Sequence, residues 1–313
     1  MKLASIDIGT NTLRLLIGSV DSTGQITDSL LRREITRLGG GFDGKELHPE
    51  AKRRTLDTLS RFAGTLKENG VTMVAASATS VVREAEDGSA FIDEIFEKTG
   101  ITVDLIPGER EASLTLKGVL SALEGGREKQ SLIFDIGGGS TEFIAADKGE
   151  LTGLKSLNMG VVAITEKFLH SDPPSPADIS TIKKKVDAFM AEYIAALPPI
   201  VADGGTLLVG TAGTVTSLAA LDQDLAVYDS RKINNYRMSR ESIERLFERL
   251  KVMTHNERAA LGALEDGRAD LIIPGTIIVL MAMSTFGFDE LLVSDYGLLE
   301  GLLIDLAERE GLL

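Results

Sequence analysis

No cysteine occurs among the 313 residues, which excludes disulfides, thiolate metal sites and a cysteine nucleophile. With no oxidising signature to explain, a reducing cytoplasm is the expected compartment. Histidine is scarce: His48, His170 and His255 are scattered with no ligand spacing, so a histidine metal site is not expected. Long apolar runs are missing too. The most apolar stretch, 271–283, is broken by Pro274 and Gly275 and is too short to span a bilayer, so it reads as a buried helix. The opening MKLASIDIGTNT carries Asp7 where an export signal needs an unbroken apolar run. Positive charge is in deficit, with 33 Lys+Arg against 47 Asp+Glu and a net charge of −14. That acidity argues against a nucleic-acid binder, which needs a basic face. A polyanionic ligand would have to be met by local Lys or Arg, backbone N–H groups or a divalent cation.

What is present is the composition of a globular protein, 43% hydrophobic and 26% charged, with length for about two domains. Residues 3–8, 13–20 and 25–35 read as strands, the first two antiparallel and joined at a turn. A helix follows Pro49 and is closed by Gly70; strands at 71–76 and 101–106 then alternate with helices, the last running from Pro107–Gly108 to about Leu123. After the break at Glu124–Gly125–Gly126 the pattern restarts, with strands at 131–135, 143–146, 207–209 and 291–294 separated by helical stretches. Alternating strand and helix is the α/β pattern.

Inside that pattern lies a repeat. LASIDIGTNT at 3–12 and SLIFDIGGGST at 131–141 share an apolar strand, Asp-Ile-Gly, then small hydroxyl or amide residues. The two aspartates are 128 apart, about one domain length. A duplicated domain with its two loops facing each other across a cleft is the expectation. Gly137, Gly138 and Gly139 permit a tight hairpin with positive φ and let an anion approach the backbone. Ser140 and Thr141 add hydroxyls, and Asp135 at the strand end can coordinate a divalent cation. In the first loop Thr10, Asn11 and Thr12 supply the donors and Asp7 the carboxylate. One such loop alone could be a plain hairpin turn; two matching copies weigh against that. A third glycine loop, LLVGTAGTVTSL at 207–218, offers Gly210, Thr211 and Gly213 at a helix N-terminus, a ready anion site. No GK[ST] follows it, so it is not a P-loop.

Eight blocks resemble the exopolyphosphatase/guanosine pentaphosphate phosphatase family: DIGTNTLRLLIG, ATSVVREA, PGEREA, FDIGGGSTEF, NMGVVAITEKF, GTAGTVTSLAAL, ADLIIPGTIIVL and SDYGLLEGLL. They cover nearly the whole chain in family order. The resemblance implies the superfamily of sugar kinases, actin and chaperone ATPases: an α/β fold of two ribonuclease-H-like domains, here 1–123 and 124–297, with the final helix at about 298–313 packing back on the first. It implies release of terminal phosphate from inorganic polyphosphate or of the 5′ phosphate from guanosine pentaphosphate, with Mg²⁺ or another divalent cation. On that pattern Glu111 is the base that activates water, with Glu109 the other candidate. Arg83 and, with less weight, Arg14 would bind substrate phosphate, and Glu142 would join Asp135 and Asp7 around the metal.

Plainer readings stand beside each assignment. Glu109 and Glu111 could simply offset the dipole of a first helical turn. Arg83 could pair on the surface with Glu86 or Asp87, and Glu142 could point outward from its strand. Glu111 also shares a helix face with Thr115 and Gly118, small residues that could border a cleft. The basic runs at 32–33, 52–54 and 183–185 could hold a long polyphosphate, but each reads first as a solvated face. Two rival functions remain open: an ATP-dependent small-molecule kinase of the same superfamily, and a non-catalytic sensor of nucleotide or polyphosphate. A homodimer is compatible with the sequence.

Overall fold

A computed structural model describes residues 1–194, 197, 205–265 and 267–313. The chain divides into two units, one formed by 1–121 with 296–313 and the other by 122–295. Among the described residues each unit is built on one mixed sheet.

In the first unit, strands β1 (Leu3–Ile8), β2 (Thr12–Val20) and β3 (Ile26–Ile35) form an antiparallel meander. Strands β4 (Met73–Ala78) and β5 (Val103–Leu105) add to it in parallel, giving the order β3-β2-β1-β4-β5. Both faces are covered, so β1 is buried at every position rather than alternating. One face packs with α1 (Pro49–Glu68) and α3 (Gly88–Thr99) through Ile6, Ile8, Leu59, Phe62 and Phe91. The other face packs with α12 (Leu298–Arg309) through Leu3, Leu16, Leu299, Leu302 and Leu303. Two connecting helices matter for function: α2 (Ser80–Glu84) follows β4, and α4 (Gly108–Ala122) follows β5.

Helix α4 is seated on α12 at van der Waals limit. A Cβ on Gly118 would lie 2.0 Å from the Gly297 carbonyl oxygen, and one on Gly301 would lie 1.9 Å from that of Leu114. The face of α4 that carries Gly118 is therefore filled by α12, and the expectation that it borders a cleft is corrected. Charge reinforces the seam: Asp305 on α12, 9% exposed, accepts from Arg110 at 2.5 Å and from Lys117 at 3.3 Å, and Arg309 lies 3.2 Å away. Burial opposes ionisation of Asp305, but the hydrogen bonds and charges of Arg110 and Lys117 outweigh it and hold the carboxyl below its ordinary value. A depressed folded value stabilises above the unfolded value of about 4 and is lost as pH falls through it. Asp305→Asn should therefore cost about 1 kcal/mol at neutral pH, a modest figure because its partners are half exposed. Its melting temperature should converge with the wild type's below about pH 4, which thermal scans across pH 3–7 would read.

The second unit repeats the plan. Strands β6 (Ser131–Ile136), β7 (Thr141–Asp147) and β8 (Glu150–Leu157) make the meander and β9 (Leu207–Thr211) pairs in parallel with β6. Strands β11 (Glu290–Val293) and β10 (Arg237–Ser239) extend the edge, giving β10-β11-β9-β6-β7-β8. Read from the meander, the order matches that of the first unit, so the α/β expectation of two ribonuclease-H-like halves is met. Its core gathers Phe134, Phe143, Val215, Leu218 and Ile277. The helices are α5 (Val161–Phe168), α6 (Pro176–Ile194), α7 (Ala212–Asp222), α8 (Ser230–Ile233), α9 (Arg240–Leu250), α10 (His255–Ala259) and α11 (Ile272–Phe286). The apolar stretch at 271–283 is indeed a buried helix, α11. No helix among the described residues is long and apolar enough to cross a membrane. The sequence pattern predicts a helix from about Pro176 to Leu197, whose end lies outside the described part of α6, Pro176–Ile194.

Candidate functional site

The two Asp-Ile-Gly loops fold alike, residue for residue. Asp7 on β1 stands opposite Arg14 on β2, and Asp135 on β6 stands opposite Glu142 on β7, seven residues on in each case. Gly9 N–H donates to the Thr12 carbonyl at 3.1 Å, and Gly137 N–H donates to that of Ser140 at 2.9 Å. Asp7 is also in register with Ser77 on β4, as Asp135 is with Thr211 on β9. Side chains in direct register share a sheet face. Each unit thus presents one three-strand polar row at the carboxyl end of its parallel strands, where α/β sheets bind ligands.

None of Gly137, Gly138 and Gly139 has the positive φ expected of them. Close approach is demanded of Gly160 instead: a Cβ there would sit 2.1 Å from the Gly138 oxygen and 2.3 Å from the Gly139 carbonyl carbon. The start of α5 fastens the loop from below, with Val161 and Val162 N–H donating to the Gly137 and Gly138 carbonyls, both at 3.0 Å. Thr141 Oγ1 donates to the Met159 carbonyl at 2.6 Å, so that hydroxyl is structural. Carbonyls held from behind leave the loop's amides for an anion: among the described residues, nothing accepts from the N–H groups of Gly138, Gly139 and Ser140. The first loop is anchored similarly, Arg37 and Gly39 N–H donating to the Asn11 and Thr10 carbonyls at 2.9 and 2.8 Å.

The polar rows differ in charge. In the first unit Asp7 Oδ2 accepts from Arg14 Nε at 3.0 Å and from its terminal nitrogen at 2.6 Å. Asp7, expected among the metal ligands, holds Arg14 with this one oxygen. Asp7 Oδ1, Asn11 Oδ1 and Ser77 Oγ are buried without a hydrogen-bond partner. Buried polar atoms are nearly always satisfied, so three orphans on one unit are those of a site that takes a ligand. In the second unit two carboxylates face each other: Glu142, 3% exposed, accepts from Ser156 Oγ at 2.7 Å, and Asp135 is half-buried. Glu142 does not point outward.

Parallel pairing of β4 with β5 brings α2 beside the start of α4. Arg83 on α2 donates to the Ile106 carbonyl at 2.8 Å and to Glu111 Oε2 at 3.2 Å through one nitrogen. Guanidinium and carboxylate are 27% and 12% exposed, open on one side. The expected surface partner Asp87 belongs instead to Lys52, at 2.8 Å. Glu109, the other candidate base, is exposed.

Two features of the third loop escaped the sequence. Ala212, between Thr211 and Gly213, has φ +67°, a left-handed conformation strained for a residue with a Cβ. Arg268 lies over Gly213 so closely that a Cβ there would be 1.9 Å from the guanidinium. Its Nε donates to Glu265 at 2.7 Å. The third loop thus has a cation set directly on its glycine. The signal was available, since Arg268 directly precedes the ADLIIPG block, but one arginine in a polar turn carries no pattern.

The sequence profile of the Ppx/GppA phosphatase family matches residues 17–310. The chain belongs to that family. It is 33% identical over 319 aligned residues to exopolyphosphatase 2 of Mycobacterium tuberculosis, covering 98% of both chains. Among solved structures it resembles an exopolyphosphatase from Cytophaga hutchinsonii, with TM-score 0.88, 30% identity and 99% and 98% of the two chains covered. It also resembles the Aquifex aeolicus member of the Ppx/GppA family, with TM-score 0.82, 30% identity and the same coverage. Membership makes the chain a hydrolase.

Proposed function

We propose that this chain releases the terminal phosphate of inorganic polyphosphate, and also acts on the 5′ phosphate of guanosine pentaphosphate, with Glu111 as general base. The observation that carries this reading is the contact of Glu111 with Arg83 at 3.2 Å. One arginine nitrogen holds the Ile106 carbonyl and the Glu111 carboxylate; its Nε and second terminal nitrogen have no partner among the described residues. Those donors match two oxygens of a phosphoryl group. A phosphate on Arg83 would lie next to the carboxylate that takes a proton from the attacking water.

Phosphoanhydride hydrolysis depends on position and charge compensation more than on covalent chemistry. The amides of Gly138, Gly139 and Ser140 and the hydroxyls of Ser140 and Thr12 hold phosphate oxygens, as do Asn11, Arg14 and the loop of Gly210, Thr211 and Gly213. Glu111 accepts the water proton as the new O–P bond forms; the bridging P–O bond breaks, and the electron pair leaves with the shortened chain. Asp135 and Glu142 fit a divalent cation: two hard oxygen donors in direct register, one oriented by Ser156. Mg²⁺ keeps several of its waters and takes substrate oxygens, so a pair of carboxylates is enough to hold it. Such an ion, when bound, neutralises charge on the phosphates. The full-length match with an exopolyphosphatase puts polyphosphate first.

Phosphate release from polyphosphate and from guanosine pentaphosphate, with and without Mg²⁺, tests the reading directly. Transfer from ATP to a small acceptor, with no release from either substrate, would replace it with the kinase reading; binding without turnover would leave a sensor. The loop's footing gives a second test. Gly160→Ala pushes a methyl into the backbone of Gly138 and Gly139, and overpacking of this kind costs about 1–3 kcal/mol. Since that backbone binds phosphate, the variant should raise KM for polyphosphate at least tenfold; a change in melting temperature with KM untouched would disconnect the loop from substrate.

A further inference from the structure

Away from the phosphate loops, the 172–176 loop, the first turns of α6 and the turn after α9 border an open cavity of about 650 Å³, within the roughly 300–1,000 Å³ of small-ligand sites. Its walls include Pro174, Ile179 and Val252, and Lys183, Lys184 and Lys251 line it. Lys183 Nζ lies 5.4 Å and Lys251 Nζ 5.7 Å from the centroid of the same Phe247 ring. One aromatic ring thus draws two ammonium groups to it. Glu248 meets Lys251 at 2.6 Å, while Lys183 and Lys184 have no ion pair among the described residues. In a chain of net charge −14, this is a local reversal of sign with an apolar wall beside it.

The cavity is preformed. Arg258, 2% exposed, donates to the Ala269 carbonyl at 2.7 Å, to the Met253 carbonyl, and to Asp172 at 3.3 Å. His255 N–H adds bonds to the Asp172 carboxylate at 2.7 and 2.9 Å. The loop that begins at Asp172 and the turn that carries Lys251 and Val252 therefore hang on one buried guanidinium. Walls fixed in advance cost a ligand little ordering energy.

We propose that this cavity binds a nucleoside polyphosphate, its base against Pro174, Ile179 and Val252 and its phosphates on Lys183, Lys184 and Lys251. Inorganic polyphosphate shares the charge but has nothing to place on the apolar wall. The assignment goes beyond the hydrolytic reading and stands on different residues.

The test is equilibrium binding of N-methylanthraniloyl-ADP to the whole chain in EDTA, with and without excess tripolyphosphate, which competes for the phosphate loops. One saturable nucleotide site should survive the tripolyphosphate. Lys183→Ala with Lys251→Ala should weaken it at least tenfold, the two arginine substitutions should retain it, and phosphate release from polyphosphate should change less than twofold. Displacement of all nucleotide by tripolyphosphate, unchanged binding in the double alanine variant, or no binding to the wild type would overturn the proposal. Failure of the hydrolytic reading is seen separately, as absent phosphate release with nucleotide binding intact.

Discussion

Glu111→Gln is expected to lower phosphate release from polyphosphate by about 10²–10⁴-fold, the usual contribution of a positioned general base, with substrate affinity changed only a few-fold. The substitution is isosteric and keeps an oxygen that can accept from Arg83, so the phosphate-binding guanidinium stays in place. What is lost is a group that can take the proton of the attacking water. Glu109→Gln is the matched control: two residues earlier and exposed rather than 12% open, it should leave turnover intact. The bland alternative, in which both glutamates only complement the start of α4, makes a different forecast. Each neutralisation would then cost about 0.3–1 kcal/mol of stability and neither would touch the rate. Single-turnover phosphate release together with polyphosphate binding by both variants separates the cases, and equal rates in wild type and Glu111→Gln would remove Glu111 from the mechanism.

The duplicated Asp-Ile-Gly strand and loop were legible because strand, turn and polar tip are local in sequence. So was α/β alternation, since buried strands read as apolar runs. The outer strand β8, Glu150–Leu157, was not: as an edge strand interrupted by Gly153, it carries weak alternation and its pairing with β7 is what makes it a strand. The three-residue β10 is likewise set by β11. The helix α5 lay inside a block quoted for its resemblance, yet its role in fastening Gly137 and Gly138 could not be read from it. Long-range partners were the least accessible. Arg83 and Glu111 are 28 residues apart and meet only because β4 and β5 run parallel; the sequence offered Glu86 and Asp87 as nearer partners. The glycine triplet pointed to the right loop, but none of its residues has positive φ, and the glycine that close approach demands is Gly160. Conformational freedom can be guessed from composition, whereas close approach needs the neighbour's position.

The same register that makes the two loops twins also makes their divergence informative, and it yields the second large effect. At the position seven residues after the aspartate, the first unit has Arg14 and the second has Glu142. In the first row Asp7 is paired with Arg14; the second brings Asp135 and Glu142 into direct register, two hard oxygen donors suited to a divalent cation. Asp135→Asn combined with Glu142→Gln should therefore abolish stimulation by Mg²⁺. The expected loss in phosphate release at saturating metal is about 10³-fold, as charge compensation worth several kcal/mol implies. The double variant should also lose the wild type's rise in melting temperature when Mg²⁺ is added. Glu111→Gln, by contrast, should keep that rise, since it removes the base and leaves the cation site. A double variant that retains both the metal-dependent rate and the metal-dependent melting shift would move the cation to other ligands, and with it the chemistry assigned to the second row.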